Sequence, residues 1–192
     1  MKHIIDKSFS FAYGHRVHNQ RLDTRFTDRG DSCLACRHLH GHEGLVKLMI
    51  EETVPGTNIA ETGMVLDFKM LGFFKNFIDD VLDHKMILDV KDPLLPHEVP
   101  EYIKGGELDF DKCESHPEGY WTPVLSHLPK DTSQAVIEKY EGMVFVDFVP
   151  TSENLAAWLM TVAANKMSGI PNVRVSAVEF NETPKSHCRV EA

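Results

Sequence analysis

GLVKLMIEETV, residues 44–54, is the stretch on which the fold turns. Val46, Leu48 and Ile50 share one face while Lys47 and Glu51 fall on the other, the two-residue period of a strand with one face buried. The turn sequence VPGTN closes it. Toward the N-terminus, residues 3–13 are rich in β-branched and aromatic side chains and end at Gly14, a second strand arriving at His15. Toward the C-terminus the period changes. From Asp67 onward, Phe68, Leu71, Phe74, Ile78 and Val81 or Leu82 recur at three- and four-residue steps, a helix with Asp67 as its N-cap. GMVFVDFV, residues 142–149, reads as a third strand, followed by Pro150 and a helix from Ser152 as N-cap to about Ser168, which Gly169 stops. NVRVSAVEFNET, 172–183, is the last strand. The order implies an α+β fold, a four-stranded antiparallel sheet with two helices on one face.

The chain has 192 residues, 42 % hydrophobic and 26 % charged, the size and usage of one globular domain, 1–192, that needs no staple. Twenty Lys and Arg against 29 Asp and Glu leave a net charge of −9, which argues against a nucleic-acid binder and against a polybasic membrane-surface protein. No apolar run approaches the roughly 18 residues of a membrane span, and MKHIIDKSFSF does not read as a secretory signal. The expected compartment is cytoplasmic, so the four cysteines read as thiols or metal ligands rather than a disulfide framework.

Residues 89–131 stand apart. They carry six of the ten prolines, ten acidic residues against four lysines, and no sustained periodicity. They form the body of an acidic, proline-rich insertion at about 89–141, expected as a functional loop, a lid or a partly disordered segment. No internal repeat is evident.

His40-Gly41-His42 places two imidazoles two residues apart, on one face if the following strand extends back through them. His15 supplies a third nitrogen if the first two strands pair, and three neutral imidazoles with an open position make a catalytic zinc site. Exposed loop histidines are the plainer reading of the same residues. Cys36, four residues before His40, is a base or nucleophile beside such an ion, or a buried structural thiol. Cys33 makes a C-x-x-C pair with it, which also permits a closed structural zinc site with His40 and His42, or a redox pair. Asp83-His84 follows the first helix as a proton-transfer pair or a helix-terminal histidine. Glu182 is suited to chelating two N–H donors of a planar heterocycle, or is an exposed strand-end residue. Cys113 and His116 read as loop residues.

FAYGHRV, CRHLHGHEG, GMVLDF, VLDHKMIL, PTSENLA and VEFNET, in this order, resemble the 6-pyruvoyltetrahydropterin and 6-carboxytetrahydropterin synthase (QueD) family, over residues 3–90 and 142–192. The resemblance implies a tunnelling fold assembled as a homo-oligomer, a trimer or hexamer, with a small pterin as substrate. It implies His15, His40 and His42 as zinc ligands, Cys36 as the catalytic cysteine, Asp83 and His84 as its proton-transfer partners and Glu182 as the pterin anchor. The C-x-x-x-H-G-H spacing is like that of the carboxytetrahydropterin synthases of the queuosine pathway, zinc-dependent carbon–carbon lyases. These convert 7,8-dihydroneopterin triphosphate to 6-carboxytetrahydropterin, acetaldehyde and triphosphate. The alternatives are the pyruvoyl branch, which eliminates triphosphate alone, and a non-catalytic zinc-binding assembly protein of the same fold. Glu43 after HGH, Cys33 and the insertion depart from the family pattern.

Overall fold

The computed structural model describes residues 1–192. Its elements in chain order are β1 (Ile4–His15), β2 (His40–Glu52), α1 (Thr57–Thr62), α2 (Gly72–Phe77), β3 (Lys85–Asp89), α3 (Leu95–Glu98), β4 (Ile103–Lys104), β5 (Glu107–Leu108), β6 (Cys113–His116), β7 (Tyr120–Pro123), α4 (Gln134–Glu141), β8 (Met143–Val146), α5 (Ser152–Met167), β9 (Val173–Thr183) and β10 (Ser186–Glu191). The sheet has eight strands in the order β10-β9-β2-β1-β3-β8-β7-β6, rather than the four expected, and there are five α-helices rather than two. The sheet is also mixed, because β1 with β3 and β3 with β8 run parallel. Strand β3 is absent from the expected order for a physical reason: Ile87, Leu88 and Asp89 are all buried, so no alternation marks it. The contacts divide into two units whose boundary cuts through the chain of β1 and just before His42 in β2.

The first unit comprises residues 1–12, 42–83 and 151–192. Strand β2 pairs antiparallel with β9, and β9 with β10. The expected apolar face is present: Val46, Leu48 and Ile50 are fully buried, and Phe9 meets Phe74 edge-on at 5.3 Å. Helix α5 packs over β9 and β10, burying Leu155, Leu159 and Val162, while Trp158 meets Phe77 at 5.6 Å. Its cap is Thr151, whose hydroxyl accepts the Asn154 N–H, one residue before the expected Ser152. The periodic stretch after Asp67 is helical throughout, but in three gauges: a 3-10 turn at Phe68–Leu71, then α2, then a wide π turn at Ile78–Leu82. The Asp67 side chain accepts the Lys69 N–H at 2.8 Å, as a cap should.

Glu51, expected on the polar face, is 3 % exposed and is held between Lys2 and Arg174, each at 2.7 Å. Lys2, then Arg174, hold its carboxyl below the usual glutamate range. Glu52 accepts the N–H groups of Gly56, Asn58 and Ile59 at the start of α1. Those bonds, Gly56 first, lower its pKa as well.

The second unit comprises residues 13–41 and 84–150. Tyr13, Gly14 and His15 pair with Lys85, Met86 and Ile87, and β8 continues through β7 to β6. Residues 89–131, in which no periodicity is visible, are built from short elements: α3, the β4–β5 hairpin and the β6–β7 hairpin, with α4 following. Elements of two to four residues are too short for a period to show. They surround a core of Leu88, Leu95, Val99, Tyr102, Leu108, Tyr140, Met143 and Phe145. Both tyrosines are buried by their rings and tethered by their hydroxyls: Tyr102 donates to the Val124 carbonyl at 3.1 Å, and Tyr140 donates to Glu101. Burial pushes the Tyr102 phenol up to about 12.

Candidate metal centre

Strand β1 ends at His15 and strand β2 begins at His40, and the two are neighbours in the sheet. Tyr13 and His15 on one strand and His40 and His42 on the other are each two residues apart, so their side chains repeat on the same face. The strands approach closely because Gly41 lies between the two histidines. A Cβ there would meet the Tyr13 carbonyl oxygen at 2.9 Å, too close for any other residue without a backbone shift. One ligand nitrogen from each of His15, His40 and His42 falls within 4.8 Å of the others. The His15 and His40 rings lie 4.5 Å apart, and His15 is fully buried.

The hydrogen bonds set the tautomers. His15 Nδ1 lies 2.6 Å from the Pro150 carbonyl oxygen and His40 Nδ1 2.7 Å from that of His38. A carbonyl only accepts, so both Nδ1 atoms carry the proton, and each Nε2 presents a lone pair. Neutral imidazoles oriented through the other ring nitrogen by a backbone carbonyl are what a divalent cation needs from its ligands. The donor set fits such an ion. Neither carbonyl has a signature in the sequence, since any residue supplies one; that is why Pro150 and His38 escaped the motif reading.

The remaining predicted residues are placed as follows. Glu182 is near the end of β9, and its Oε1 lies 3.8 Å from His42 Nε2, both side chains about one-quarter exposed or less. Cys36 is on a one-turn 3-10 helix, Ala35–Arg37, partly exposed, and its carbonyl accepts the Val17 N–H at 2.6 Å. Cys33 is exposed, and both thiols are free. The metal-competent group contains His15, His40 and His42 but neither cysteine. Asp83 and His84 follow the wide π turn, where the Asp83 N–H reaches back to the Ile78 carbonyl. Asp83 also accepts the Ala12 N–H at 2.9 Å, so one of its oxygens ties the helix end to β1. His84 adopts a positive φ of 59°, uncommon for a residue with a side chain. Cys113 and His116, expected in a loop, lie on β6. His116 bonds Thr122 and stacks on Tyr120, while burial pushes the Cys113 thiol up to about 11.

The surroundings are basic along residues 15–37, which hold five arginines. Three are engaged: Arg16 with Asp92, Arg25 with Asp23, and Arg37 with the Gln20 carbonyl. Arg21 and Arg29 are exposed and outside these pairs.

With the geometry in view, the relatives bear on the chain as a whole. A 6-carboxy-5,6,7,8-tetrahydropterin synthase of Aquifex aeolicus is 37 % identical over 101 residues. That match spans 50 % of this chain and 59 % of the relative's length. Among solved structures, protein WS1659 from Wolinella succinogenes is 42 % identical with a TM-score of 0.89, covering 100 % of this chain and 98 % of its own, so the match runs through residues 89–141. The 6-pyruvoyl tetrahydropterin synthase of Caenorhabditis elegans, 18 % identical with a TM-score of 0.51 over 100 % of this chain and 96 % of that one, shows the fold alone. The family model described as 6-pyruvoyl tetrahydropterin synthase matches residues 4–192. The chain therefore belongs to the 6-pyruvoyl tetrahydropterin synthase family.

Proposed function

We propose that the protein is a zinc-dependent 6-carboxytetrahydropterin synthase that converts 7,8-dihydroneopterin triphosphate to 6-carboxytetrahydropterin, acetaldehyde and triphosphate. The observation that carries this reading is the histidine trio with Glu182 beside one of its members, 3.8 Å from His42. A carboxylate there is suited to accepting two N–H groups from the amino-pyrimidinone edge of a pterin. The C-x-x-x-H-G-H spacing and the name of the Aquifex relative support the carboxy branch.

His15, His40 and His42 would hold the ion. Bound zinc supplies Lewis-acid polarisation of substrate oxygens. Glu182 binds and orients the pterin ring, and Cys36 takes a proton from the side chain with His84 as its partner. Asp83 fixes the segment that carries His84 through its bond to the Ala12 N–H. Arg21 and Arg29, not engaged elsewhere, meet the triphosphate despite the overall charge of −9. In this reading the protein acts as a homo-oligomer in the cytoplasm, on a path toward queuosine or another deazapurine.

A second reading, the 6-pyruvoyltetrahydropterin synthase reaction, is favoured by the description of the matching family model. Product analysis separates the two. Zinc-loaded protein is incubated with 7,8-dihydroneopterin triphosphate, acetaldehyde is trapped in the same tube, and the pterins are read by mass spectrometry. Carboxytetrahydropterin with acetaldehyde supports the proposal, whereas pyruvoyltetrahydropterin without acetaldehyde replaces it with the second reading. Cys36→Ala is expected to retain zinc while losing turnover; turnover unchanged in that variant removes Cys36 from the mechanism.

A further inference from the structure

The turn that leaves β3 reads DVKD, residues 89–92, and each of its carboxylates divides its two oxygens between two tasks. Asp89 Oδ1 accepts the Lys91 N–H at 2.9 Å, and Asp92 Oδ1 accepts the Leu94 N–H at 2.8 Å. With the Asp92 N–H on the Asp89 carbonyl at 3.0 Å, these bonds fold the entry of the insertion into two successive side-chain-capped turns. The second oxygens face a different segment. Asp89 Oδ2 lies 3.0 Å from His18 Nε2, and Asp92 Oδ2 lies 3.1 Å from Arg16 Nε, a side-on charge contact rather than an aligned hydrogen bond. The two carboxylates are 4 % and 1 % exposed, so neither is a surface turn residue whose charge rests in water.

Arg16 and His18 flank Val17, and Val17 donates its N–H to the Cys36 carbonyl at 2.6 Å. The same three-residue strap leaves β1 directly after His15. Two buried carboxylates at the root of the insertion thus grip the strap on either side of the residue whose backbone holds Cys36. We propose that Asp89 and Asp92 are positioning residues for Cys36, and that the root of the insertion is the clamp that sets this thiol in place. The catalytic consequence rests on the proposed function, whereas the placement of the thiol does not.

Asp89→Asn and Asp92→Asn separate the two tasks. Each keeps a side-chain oxygen to cap the turn and puts an uncharged amide where the gripping oxygen was. The rate of iodoacetamide labelling at Cys36 is read by peptide mass spectrometry on zinc-loaded, folded protein, with Cys113 in the insertion as the internal control. Both variants are expected to label Cys36 at least about fivefold faster than the unmodified chain, with Cys113 unchanged. Turnover of 7,8-dihydroneopterin triphosphate should lose about tenfold to a hundredfold in kcat with KM almost unmoved. Arg16→Lys, which keeps a cation opposite Asp92, should stay nearer the starting rates than Arg16→Met. Labelling of Cys36 that is unchanged in both variants overturns the clamp, and so does a parallel rise at Cys113, which would mean that the insertion had simply loosened. Faster Cys36 labelling in the variants, when the unmodified chain itself turns over no dihydropterin, keeps the clamp and removes the proposed function. Turnover with neither labelling nor kcat altered does the reverse.

Discussion

The two units bury comparable side chains by opposite means. In the first, β2 from residue 42 onward, β9 with 11 residues and α5 with 16 are long enough to bring whole apolar faces together. Phe74, Phe180, Leu48 and Leu159 need no polar contact to stay inside. In the second, the elements around Tyr102 and Tyr140 have two to eight residues, and the core is completed by tyrosines tethered to Val124 and Glu101. Long elements draw stability from area, which is spread over many side chains. Short ones depend on a few directional bonds, so single polar groups matter more there.

The comparison can be broken most forcefully in the first core. Phe74→Ala removes a fully buried ring and is expected to cost about 3–5 kcal/mol, with hydrogen exchange quickening across β2, β9 and α5. Faster exchange confined to α2 would show that this core is not shared. A smaller effect is expected from Tyr140→Phe, which keeps the ring and deletes one bond to Glu101, at about 1–2 kcal/mol. Its exchange should quicken over residues 95–146 while β2 and β9 stay protected; equal quickening in both units would erase the contrast.

Acid sharpens the comparison from the first unit's side. Glu51 and Glu52 titrate below the ordinary glutamate value when folded. Their contribution is complete above that value, about 4.3, and is lost as pH falls through their folded pKa values. Thermal unfolding followed from pH 7 to pH 3 should therefore show a decline below about pH 4.3 that Glu51→Gln makes shallower; an identical profile in the variant excludes Glu51 as a source. The smallest expected effect is a kinetic one. Arg21→Ala should raise KM for the proposed triphosphate substrate, while Arg25→Ala, whose guanidinium is already bound to Asp23, should change it less. Equal effects would mean that the Asp23 pair opens in use.

What was legible in the chain follows the same division. Val46, Leu48 and Ile50 carry the period of the strand they form; the run from Phe68 to Leu82 is helical as its period foretells, though in three gauges; and residues 172–183 form β9, which is not the last strand, because β10 follows it at Ser186–Glu191. The two-residue spacing puts His40 and His42 on one face of β2, and His15 joins them only because β1 lies beside β2 in the sheet, a neighbour that no local spacing dictates. Strand β3 carries no such period, since Ile87, Leu88 and Asp89 are buried in succession, whereas β8, equally buried, shows as an unbroken apolar run, Met143 to Val146. The carbonyls of Pro150 and His38, and the grip of Asp89 and Asp92, depend on contacts between distant segments and leave no mark on local spacing.

The wide turn at Ile78–Leu82 sets the direction in which the chain leaves the helix. A π turn holds one residue more than an α-helix requires over the same rise, so this helix carries a surplus residue that it accommodates without breaking. Losing one residue there would leave Leu71 and Phe74 buried as before but turn everything beyond by about 100°. Asp83 would no longer face the Ala12 N–H, and His84 would leave the end of the helix at another angle. A one-residue deletion in this five-residue window would thus change the setting of Asp83 and His84 more than a substitution on the helix that precedes it.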